Sequence, residues 1–454
     1  MGYNSFATTE KTYSFSLNEV TKCYGFGVKY NTHGSDLDQI PKIVTITIHS
    51  ITLKKDNRDI TDATTNYDKL SELASQYGFK MGSVISNTTV NDSKYKDLMK
   101  YHFNSLTAAN EMKAYSLLDA NATKAAYQNA DSMPVLNFTN ADKIMEFAKE
   151  NNIRIRGHVL VWDAGMSDWF FREDYDTSKS YASAKVVQKR LKNYMEQVIT
   201  HFEEKYPGII YCWDVVNEAV GDSSDEYKAG DPKHIRTLRS GEKNLFYEIL
   251  GGEYVELSFQ YAHDIIEELK KSKPDLDIKL YYNDYNTFES KKRDAICELV
   301  KSINSYQSDN QGGYVKLCDG VGMQSYIGGF GEQKGCMNNE NITMVKNAIQ
   351  KYAGLGVEIQ VTEMAVRNYQ GDAATLEEHA EFYKKLFQVY MEANSGSAKP
   401  LTAVCIWGII DDPDMDPSDY SYKMNGTYCG LFDETLGVKP AFVSVHDLMK
   451  RGLS

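Results

Sequence analysis

Residues 210–218 read IYCWDVVNE, an apolar run of strand length that ends in an amide and a carboxylate. Similar runs recur along the chain, and most are separated by stretches with apolar residues three and four positions apart. Short apolar runs bounded by polar residues predict buried strands, and their alternation with helices predicts a parallel sheet. The eight runs are Phe79–Ile85, His102–Asn110, Arg154–Trp162, Ile210–Glu218, Lys279–Asn286, Cys318–Tyr326, Glu358–Met364 and Leu401–Gly408.

Eight strands, each followed by a crossover helix, form a (β/α)8 barrel. A doubly wound open sheet has the same alternation, but it seldom needs eight strands over about 380 residues. We therefore predict an α/β fold built on a (β/α)8 TIM barrel. The helix candidates with the clearest spacing are Ala141–Asn151, Ala184–Tyr206, Tyr254–Lys271, Lys291–Tyr306 and Leu376–Ala393.

The first part of the chain has a different pattern. Residues 12–53 contain runs in which apolar and polar residues alternate with a period of two. This alternation predicts antiparallel strands with one buried face. The polar stretch 54–65 is the natural linker. We therefore expect a small β-rich N-terminal segment at residues 1–60 and a (β/α)8 catalytic domain at residues 61–454.

Composition excludes several classes of protein. Apolar residues at 42% and charged residues at 25% describe a folded globular chain. No run of about 18 uncharged apolar residues occurs, so we expect no membrane span, and the opening lacks the residue order of a signal peptide. The 63 acidic against 50 basic residues give a net charge of −13, which disfavours nucleic-acid binding. The seven cysteines are scattered without zinc spacing, so we expect no metal.

The active site of such a barrel lies at the C-terminal ends of its strands. The polar residues at these ends include carboxylates, amides, a lysine and tryptophans, which together suit a neutral polyol. No glycine-rich phosphate-binding loop accompanies them, and we expect no cofactor. The candidate residues are Asn110, Lys113, His158, Trp162, Asn217, Glu218, Asn283, Asp284, Gln324, Tyr326, Glu363 and Trp407.

Two carboxylates stand out among these residues. Glu218 ends the fourth predicted strand, and Glu363 lies near the end of the seventh. A carboxylate next to a buried strand needs a partner or a chemical role, and either residue alone is compatible with a structural ion pair. As a pair at one barrel mouth, they match glycoside cleavage, which requires one acid and one nucleophilic or stabilising carboxylate.

The chain from about residue 65 to 454 resembles glycoside hydrolase family 10, the retaining endo-β-1,4-xylanases. Several short motifs carry this resemblance, and they occur in the family's order. They are Asn110-Glu-Met-Lys113, Phe138-Thr-Asn-Ala-Asp-Lys143, Arg156-Gly-His-Val-Leu-Val-Trp162, Trp213-Asp-Val-Val-Asn-Glu218, Asn283-Asp-Tyr-Asn286, Gly320-Val-Gly-Met-Gln-Ser325, Val361-Thr-Glu363, Ile406-Trp-Gly408 and Gly430-Leu-Phe-Asp433 with Lys439-Pro-Ala441.

The resemblance implies a role for each candidate residue. Glu218 would be the acid/base and Glu363 the nucleophile of a retaining mechanism. Asn217 would hold the sugar 2-hydroxyl. The other implied substrate-binding residues are Asn110, Lys113 and His158 for glycone hydroxyls, Trp162 and Trp407 as walls, and Gln324 as support beside the sixth strand.

The sequence departs from the family pattern at six places around the sugar and the nucleophile. Two of them remove polar contacts to the second glycone sugar, which leaves the preferred substrate open. The departures are Ala109 for a Glu, Asp163 for a His, Gly165 for a Gln, Tyr326 for a His, Ala365 for an Asp, and a second Trp missing from residues 411–415.

The departures at Tyr326 and Ala365 form a coupled pair. In the family, the histidine contacts the nucleophile and the aspartate orients that histidine, so losing both together is chemically coherent. A tyrosine hydroxyl donates one hydrogen bond to Glu363 and needs no second partner. The alternative is that Tyr326 only fills space.

Three functional hypotheses follow. The first is a xylanase-type enzyme, which would act outside the cell because its polymer substrate does not enter cells. A related alternative is a β-glycosidase with shifted specificity for decorated xylan, another β-glycan or an aryl glycoside. The second is a barrel that binds xylan with little turnover. The third concerns residues 1–60, which resemble the closing strands of a carbohydrate-binding jelly roll and otherwise form a structural remnant.

Overall fold

The computed structural model describes residues 58–328, 335–412 and 427–453. The predicted β-rich N-terminal segment lies outside these ranges except for its last residues, 58–60. Its antiparallel strands and its role as a sugar-binding module therefore remain predictions.

Eight parallel strands close into a barrel, as the sequence predicts. Each strand pairs in parallel with the next one along the chain, and β8 pairs with β1 to complete the circle. The strands are β1 Lys80–Ile85, β2 Ser105–Ala108, β3 Arg154–Gly157, β4 Ile210–Asn217, β5 Lys279–Asp284, β6 Gly320–Met323, β7 Glu358–Val366 and β8 Leu401–Ile406.

The helices surround the barrel, and the five candidates from the sequence are confirmed within a few residues at their ends. These five are Thr139–Glu150, Ala184–Lys205, Tyr254–Lys270, Ser290–Ile303 and Ala373–Ala393. Further α-helices are Thr61–Thr65, Leu70–Ser75, Ser93–His102, Ala114–Leu117, Ala120–Ala126, Leu245–Leu250, Asn339–Ala353 and Pro440–Arg451. Short 3-10 turns are Thr89–Asn91, Asp163–Gly165, Asp168–Phe171 and Glu173–Tyr175.

The predicted start of the second strand is wrong. His102 ends a helix, and β2 begins only at Ser105. The Asp92 side chain caps the start of this helix by accepting hydrogen bonds from the backbone amides of Lys94 and Tyr95. The buried residues of this helix, Tyr95, Leu98, Met99 and His102, follow helical spacing, so His102 belongs to the buried face of the helix rather than to the strand.

Short elements outside the barrel circle build the mouth. The two-residue strand Val161–Trp162 pairs with the end of β4, and Tyr326–Ile327 pairs with the end of β7. An antiparallel hairpin, Leu238–Arg239 with Glu242–Lys243, follows β4. All three place side chains at the C-terminal ends of the strands.

The barrel interior beneath the mouth contains a buried ionic layer. Arg156 is fully buried and donates to Asp214 at 2.6 Å and to Gln360 at 2.5 Å. Asp214 also lies 2.9 Å from Nδ1 of His158. This layer ties β3, β4 and β7 together directly below the predicted site, and a buried charge of this kind requires such partners.

Candidate active site

Backbone irregularities mark the ends of the strands that carry the two glutamates. Glu218 follows β4 with a φ of 56°, in the left-handed region that a non-glycine residue seldom adopts. Glu363 lies where the pairing of β7 with β8 shifts register, between Val361 and Met364. Such irregularities turn side chains away from the positions that a regular strand gives them.

Glu363 accepts hydrogen bonds at both carboxylate oxygens. The Tyr326 hydroxyl donates to Oε2 at 2.5 Å, and Asn283 Nδ2 donates to Oε1 at 3.2 Å. Burial, and next the negative charge of Glu363, raise the pKa of Tyr326 well above its usual value. The tyrosine therefore stays protonated and keeps donating across the working pH range.

The predicted coupling between Tyr326 and Ala365 has a structural basis. The two residues are register partners on neighbouring parallel strands, and both are buried. A side chain introduced at position 365 would therefore stand beside the group at position 326. Their joint effect on activity remains a prediction.

Glu218 accepts from three side chains. Gln324 Nε2 donates to Oε1 at 2.9 Å, whereas Trp162 Nε1 at 3.1 Å and Arg239 Nη1 at 2.9 Å donate to Oε2. Burial by itself would raise the pKa of Glu218. The positive charge of Arg239 and the hydrogen bond from Gln324 outweigh burial and hold that pKa below its usual value.

A chain of amides connects the two carboxylates. Gln324, which holds Glu218, also donates to Asn217 Oδ1 at 3.2 Å. Asn283, which holds Glu363, donates to the same oxygen at 3.0 Å. Because Asn217 Oδ1 accepts both bonds, its Nδ2 is the group left to donate into the mouth. The structure thus brings residues from β4, β5, β6 and β7 into one polar network.

The family model described as glycosyl hydrolase family 10 matches residues 69–448. The chain belongs to glycosyl hydrolase family 10. It is 33% identical to a putative endo-1,4-beta-xylanase of Caldicellulosiruptor saccharolyticus over 73% of this chain and 95% of that protein. It is also 33% identical to endo-1,4-beta-xylanase Y of Acetivibrio thermocellus over 84% of this chain, but it spans only 32% of that longer protein.

Solved structures of family 10 share this fold. The CBM22-1 and GH10 modules of Clostridium thermocellum xylanase 10B, complexed with xylohexaose, match with a TM-score of 0.68 and 28% identity, covering 88% of this chain and 69% of theirs. An intracellular xylanase of Thermoanaerobacterium saccharolyticum matches with a TM-score of 0.64 and 31% identity, covering 84% of this chain and 99% of its own.

Several residues that the family 10 motifs single out meet on one side of the mouth. Asn110 Oδ1 accepts hydrogen bonds from Lys113 Nζ at 3.1 Å and from the Tyr115 hydroxyl at 2.7 Å. Lys113 also lies 5.2 Å from the centre of the Trp162 ring. Burial lowers the pKa of Lys113, although the nearby glutamates oppose this shift.

His158 and Trp407 directly follow β3 and β8 at the same end of the barrel. Asp214 holds the His158 ring from below, which leaves Nε2 for a ligand. Trp407 directly follows β8, and its backbone amide donates to Met364 in β7 at 2.8 Å. The predicted site residues lie at or shortly after strand ends, except Lys113, which is the N-cap residue of the helix Ala114–Leu117. The roles of these residues remain predictions.

The two residues that replace polar side chains of the family pattern, Ala109 and Gly165, provide little polar surface at the mouth. Ala109 is only 1% exposed. A Cβ added at Gly165 would lie 2.9 Å from Cε3 of Trp162. The neighbouring Glu111 does not replace the missing contacts, since its carboxylate accepts from the backbone amides of Asn87 at 2.7 Å and Asn110 at 3.0 Å. Residues 413–415, where the family's second tryptophan is missing, lie outside the described ranges.

Sequence reasoning missed Arg239 and Tyr115. Arg239 sits in a hairpin with no motif around it, and Tyr115 follows the Asn110 motif without belonging to it.

Within the described residues, no group of three or more His, Cys, Asp or Glu side chains is arranged to hold a metal ion. Among those same residues, no helix is long and apolar enough to cross a membrane.

Proposed function

We propose that this protein is a retaining endo-β-1,4-xylanase that cleaves xylan by double displacement. One observation carries the proposal: in a family 10 barrel, Glu218 and Glu363 stand at one mouth and share an amide chain through Gln324, Asn217 and Asn283. Retaining glycosidases need two carboxylates facing one glycosidic bond, held about 5–5.5 Å apart.

The environments of the two glutamates support distinct roles. Glu363, held by the hydrogen bonds from Tyr326 and Asn283, would attack the anomeric carbon while the bond to the leaving oxygen breaks. Glu218 would give its proton to that leaving oxygen and then take a proton from the water that releases the glycosyl-enzyme. Asn217 Nδ2 would donate to the 2-hydroxyl, and His158 and Lys113 to further hydroxyls of the same sugar.

A second candidate is a retaining β-glycosidase with shifted specificity. The absence of polar side chains at Ala109 and Gly165 favours it, because the second glycone sugar would lose two contacts there. Substrates that fit such a site include xylan decorated at that sugar, another β-glycan, or an aryl glycoside with a short glycone.

The test is a substrate panel with a stereochemical readout. The purified protein is assayed for reducing-sugar release from xylan, arabinoxylan and glucomannan, and for release of nitrophenol from β-xylosides and β-xylobiosides. We expect release from xylan, with the β-anomer as first product by NMR. Glu363→Ala is the inactive control. An α-anomer as first product would refute retention, and xylan binding without any product would identify a binding barrel.

A polymeric substrate supports action outside the cell, and we propose this location. Fractionation of a culture of the source organism, followed by immunodetection, tests it. Recovery of the protein only from the cell interior would contradict this part of the proposal.

A further inference from the structure

The hairpin after β4 brings a positive charge to the proposed acid/base. Arg239 donates from Nε and Nη2 to the two carboxylate oxygens of Asp163, at 2.9 and 2.7 Å. The same guanidinium donates from Nη1 to Oε2 of Glu218 at 2.9 Å and from Nη2 to its backbone oxygen at 3.1 Å. One side chain therefore bridges both acidic residues.

Asp163 acts as the anchor of this bridge. It directly follows Trp162, its side chain is only 5% exposed, and both of its carboxylate oxygens accept from Arg239. A two-point contact of this kind fixes the plane of a guanidinium. The family's histidine at this position has no carboxylate fork with which to hold an arginine. Asp163 and Arg239 therefore form one structural unit, in which the carboxylate fixes the orientation of the guanidinium.

This arrangement is suited to an ionised Glu218. Its Oε2 accepts from Arg239 and Trp162, and its Oε1 accepts from Gln324. A guanidinium and an indole nitrogen only donate, so a proton on Oε2 would face two N–H groups. A general acid, however, must carry a proton and direct it at the leaving oxygen.

Other charges surround Glu218 at greater range, and they come from several elements. Arg236 lies in the same loop, Lys292 in the helix Ser290–Ile303 and Lys113 beyond β2, whereas Asp284 ends β5 and Glu363 lies on β7. Among the described contacts, none of these cations reaches the Glu218 carboxylate. Arg236 pairs with Glu226 and donates from Nε to the backbone oxygen of Glu218 at 3.3 Å. Lys292 pairs with Asp222 and Asp284, and Lys113 donates to Asn110. Arg239 is thus the cation in contact with the Glu218 carboxylate among the residues described.

We propose that Arg239, anchored by Asp163, is a positioning residue that holds Glu218 as a carboxylate in the free protein and thereby restricts cleavage of substrates that need a proton. The proposal rests on the acid/base role of Glu218 in the proposed function. Activated aryl glycosides need no proton on the leaving group, so their cleavage would escape this restriction. Leaving-group chemistry, rather than glycone contacts alone, would then select substrates.

The kinetic test compares two substrates across pH. For xylotetraose, whose leaving group needs a proton, we expect Arg239→Gln to move the alkaline limb of the kcat/KM profile at least one pH unit upward. Above the limb of the unsubstituted protein, this corresponds to about a tenfold gain in kcat/KM. For dinitrophenyl β-xylobioside, the same substitution should leave the alkaline limb in place. A merely structural role for Arg239 would affect both substrates alike.

Control variants separate the ion pair from general charge effects. Lys243→Gln removes a positive charge from the same hairpin, where Lys243 pairs with Glu248 on the surface at 2.6 Å, and should shift neither profile. Arg239→Lys keeps the charge without the two-point contact and should shift the limb less than Arg239→Gln. Asp163→Asn and Arg239→Gln should be non-additive, since they act through one contact.

A titration that needs no substrate completes the test. In protein labelled with ¹³C at glutamate carboxyls, the resonance absent from Glu218→Gln reports Glu218, and its midpoint should rise in Arg239→Gln. A raised midpoint in a protein that hydrolyses no glycoside would support the ion pair while refuting the proposed function. An unchanged midpoint and an unmoved alkaline limb in an active enzyme would overturn the inference. If Arg239→Gln does not fold, Arg239→Lys provides a comparison in which the limb and the midpoint should shift in the same direction by a smaller amount.

Discussion

Removing the Tyr326 hydroxyl tests the support of the proposed nucleophile. The hydroxyl donates to Oε2 of Glu363 at 2.5 Å, and both residues are buried. One hydrogen bond to a charged group contributes about 1.5–3 kcal/mol, and 1.36 kcal/mol corresponds to a factor of ten in rate. Tyr326→Phe should therefore reduce kcat/KM by roughly ten- to a hundredfold.

The assay measures kcat/KM on xylo-oligosaccharides and on a dinitrophenyl β-xylobioside from acidic to neutral pH. Both substrates should lose activity, because each requires attack by Glu363. Circular dichroism below the unfolding transition verifies that the variant is folded.

A matched control uses another buried tyrosine. The Tyr194 hydroxyl is buried in the helix Ala184–Lys205 without a hydrogen-bond partner among the described residues. Tyr194→Phe removes the same atom from a site remote from the mouth, and activity should be unchanged. If Tyr326→Phe left kcat/KM as unchanged as Tyr194→Phe, Tyr326 would only fill space, and its proposed support of Glu363 would be refuted.

The register pairing with Ala365 provides a stricter test of the same idea. Tyr326→His alone should not restore the family arrangement, because the imidazole would have no carboxylate to orient it. Adding Ala365→Asp should recover part of the activity, with effects that are non-additive as for contacting residues. Additive effects would contradict a coupled pair.

The remaining predictions concern the roles of the glutamates and the stability of the fold. Glu363→Ala should abolish turnover of every substrate, whereas Glu218→Ala should keep forming the glycosyl-enzyme from dinitrophenyl glycosides and yield a β-glycosyl azide with added azide; equal losses without azide product would contradict this assignment of roles. Tyr194→Phe should leave the free energy of unfolding equal or up to about 1 kcal/mol higher, measured in urea, because a buried unpaired hydroxyl disappears. Burial lowers the pKa of His379 to about 3, below an unfolded value of about 6.5, so its contribution to stability is present above pH 6.5 and is lost as pH falls towards 3. His379→Gln should flatten the loss of unfolding free energy over this pH window, and equal slopes for the variant and the unsubstituted protein would contradict the assignment.

Local patterns in the sequence were sufficient for the barrel and for most of its mouth. The eight strands follow from short apolar runs, and the parallel arrangement follows from the helices between them. Asn217, Glu218 and Glu363 could be selected because parallel strands in a barrel all end at the same face. His102 shows the limit of this reasoning, because it ends the buried face of a helix although it lies only three residues before the strand that begins at Ser105.

The contacts between side chains at different strand ends could not be predicted from the residue pattern of the sequence. The bond between Tyr326 and Glu363 was anticipated only through the resemblance to family 10, and the pairing of Arg239 with Asp163 and Glu218 was not anticipated at all. Hydrophobic periodicity specifies which face of an element is buried. It does not specify which loop folds back over the mouth or where a guanidinium points, because these depend on closure of the barrel and on the path of a hairpin. The sequence therefore determined the barrel and its two carboxylates, whereas only the tertiary structure decided which charges surround each carboxylate.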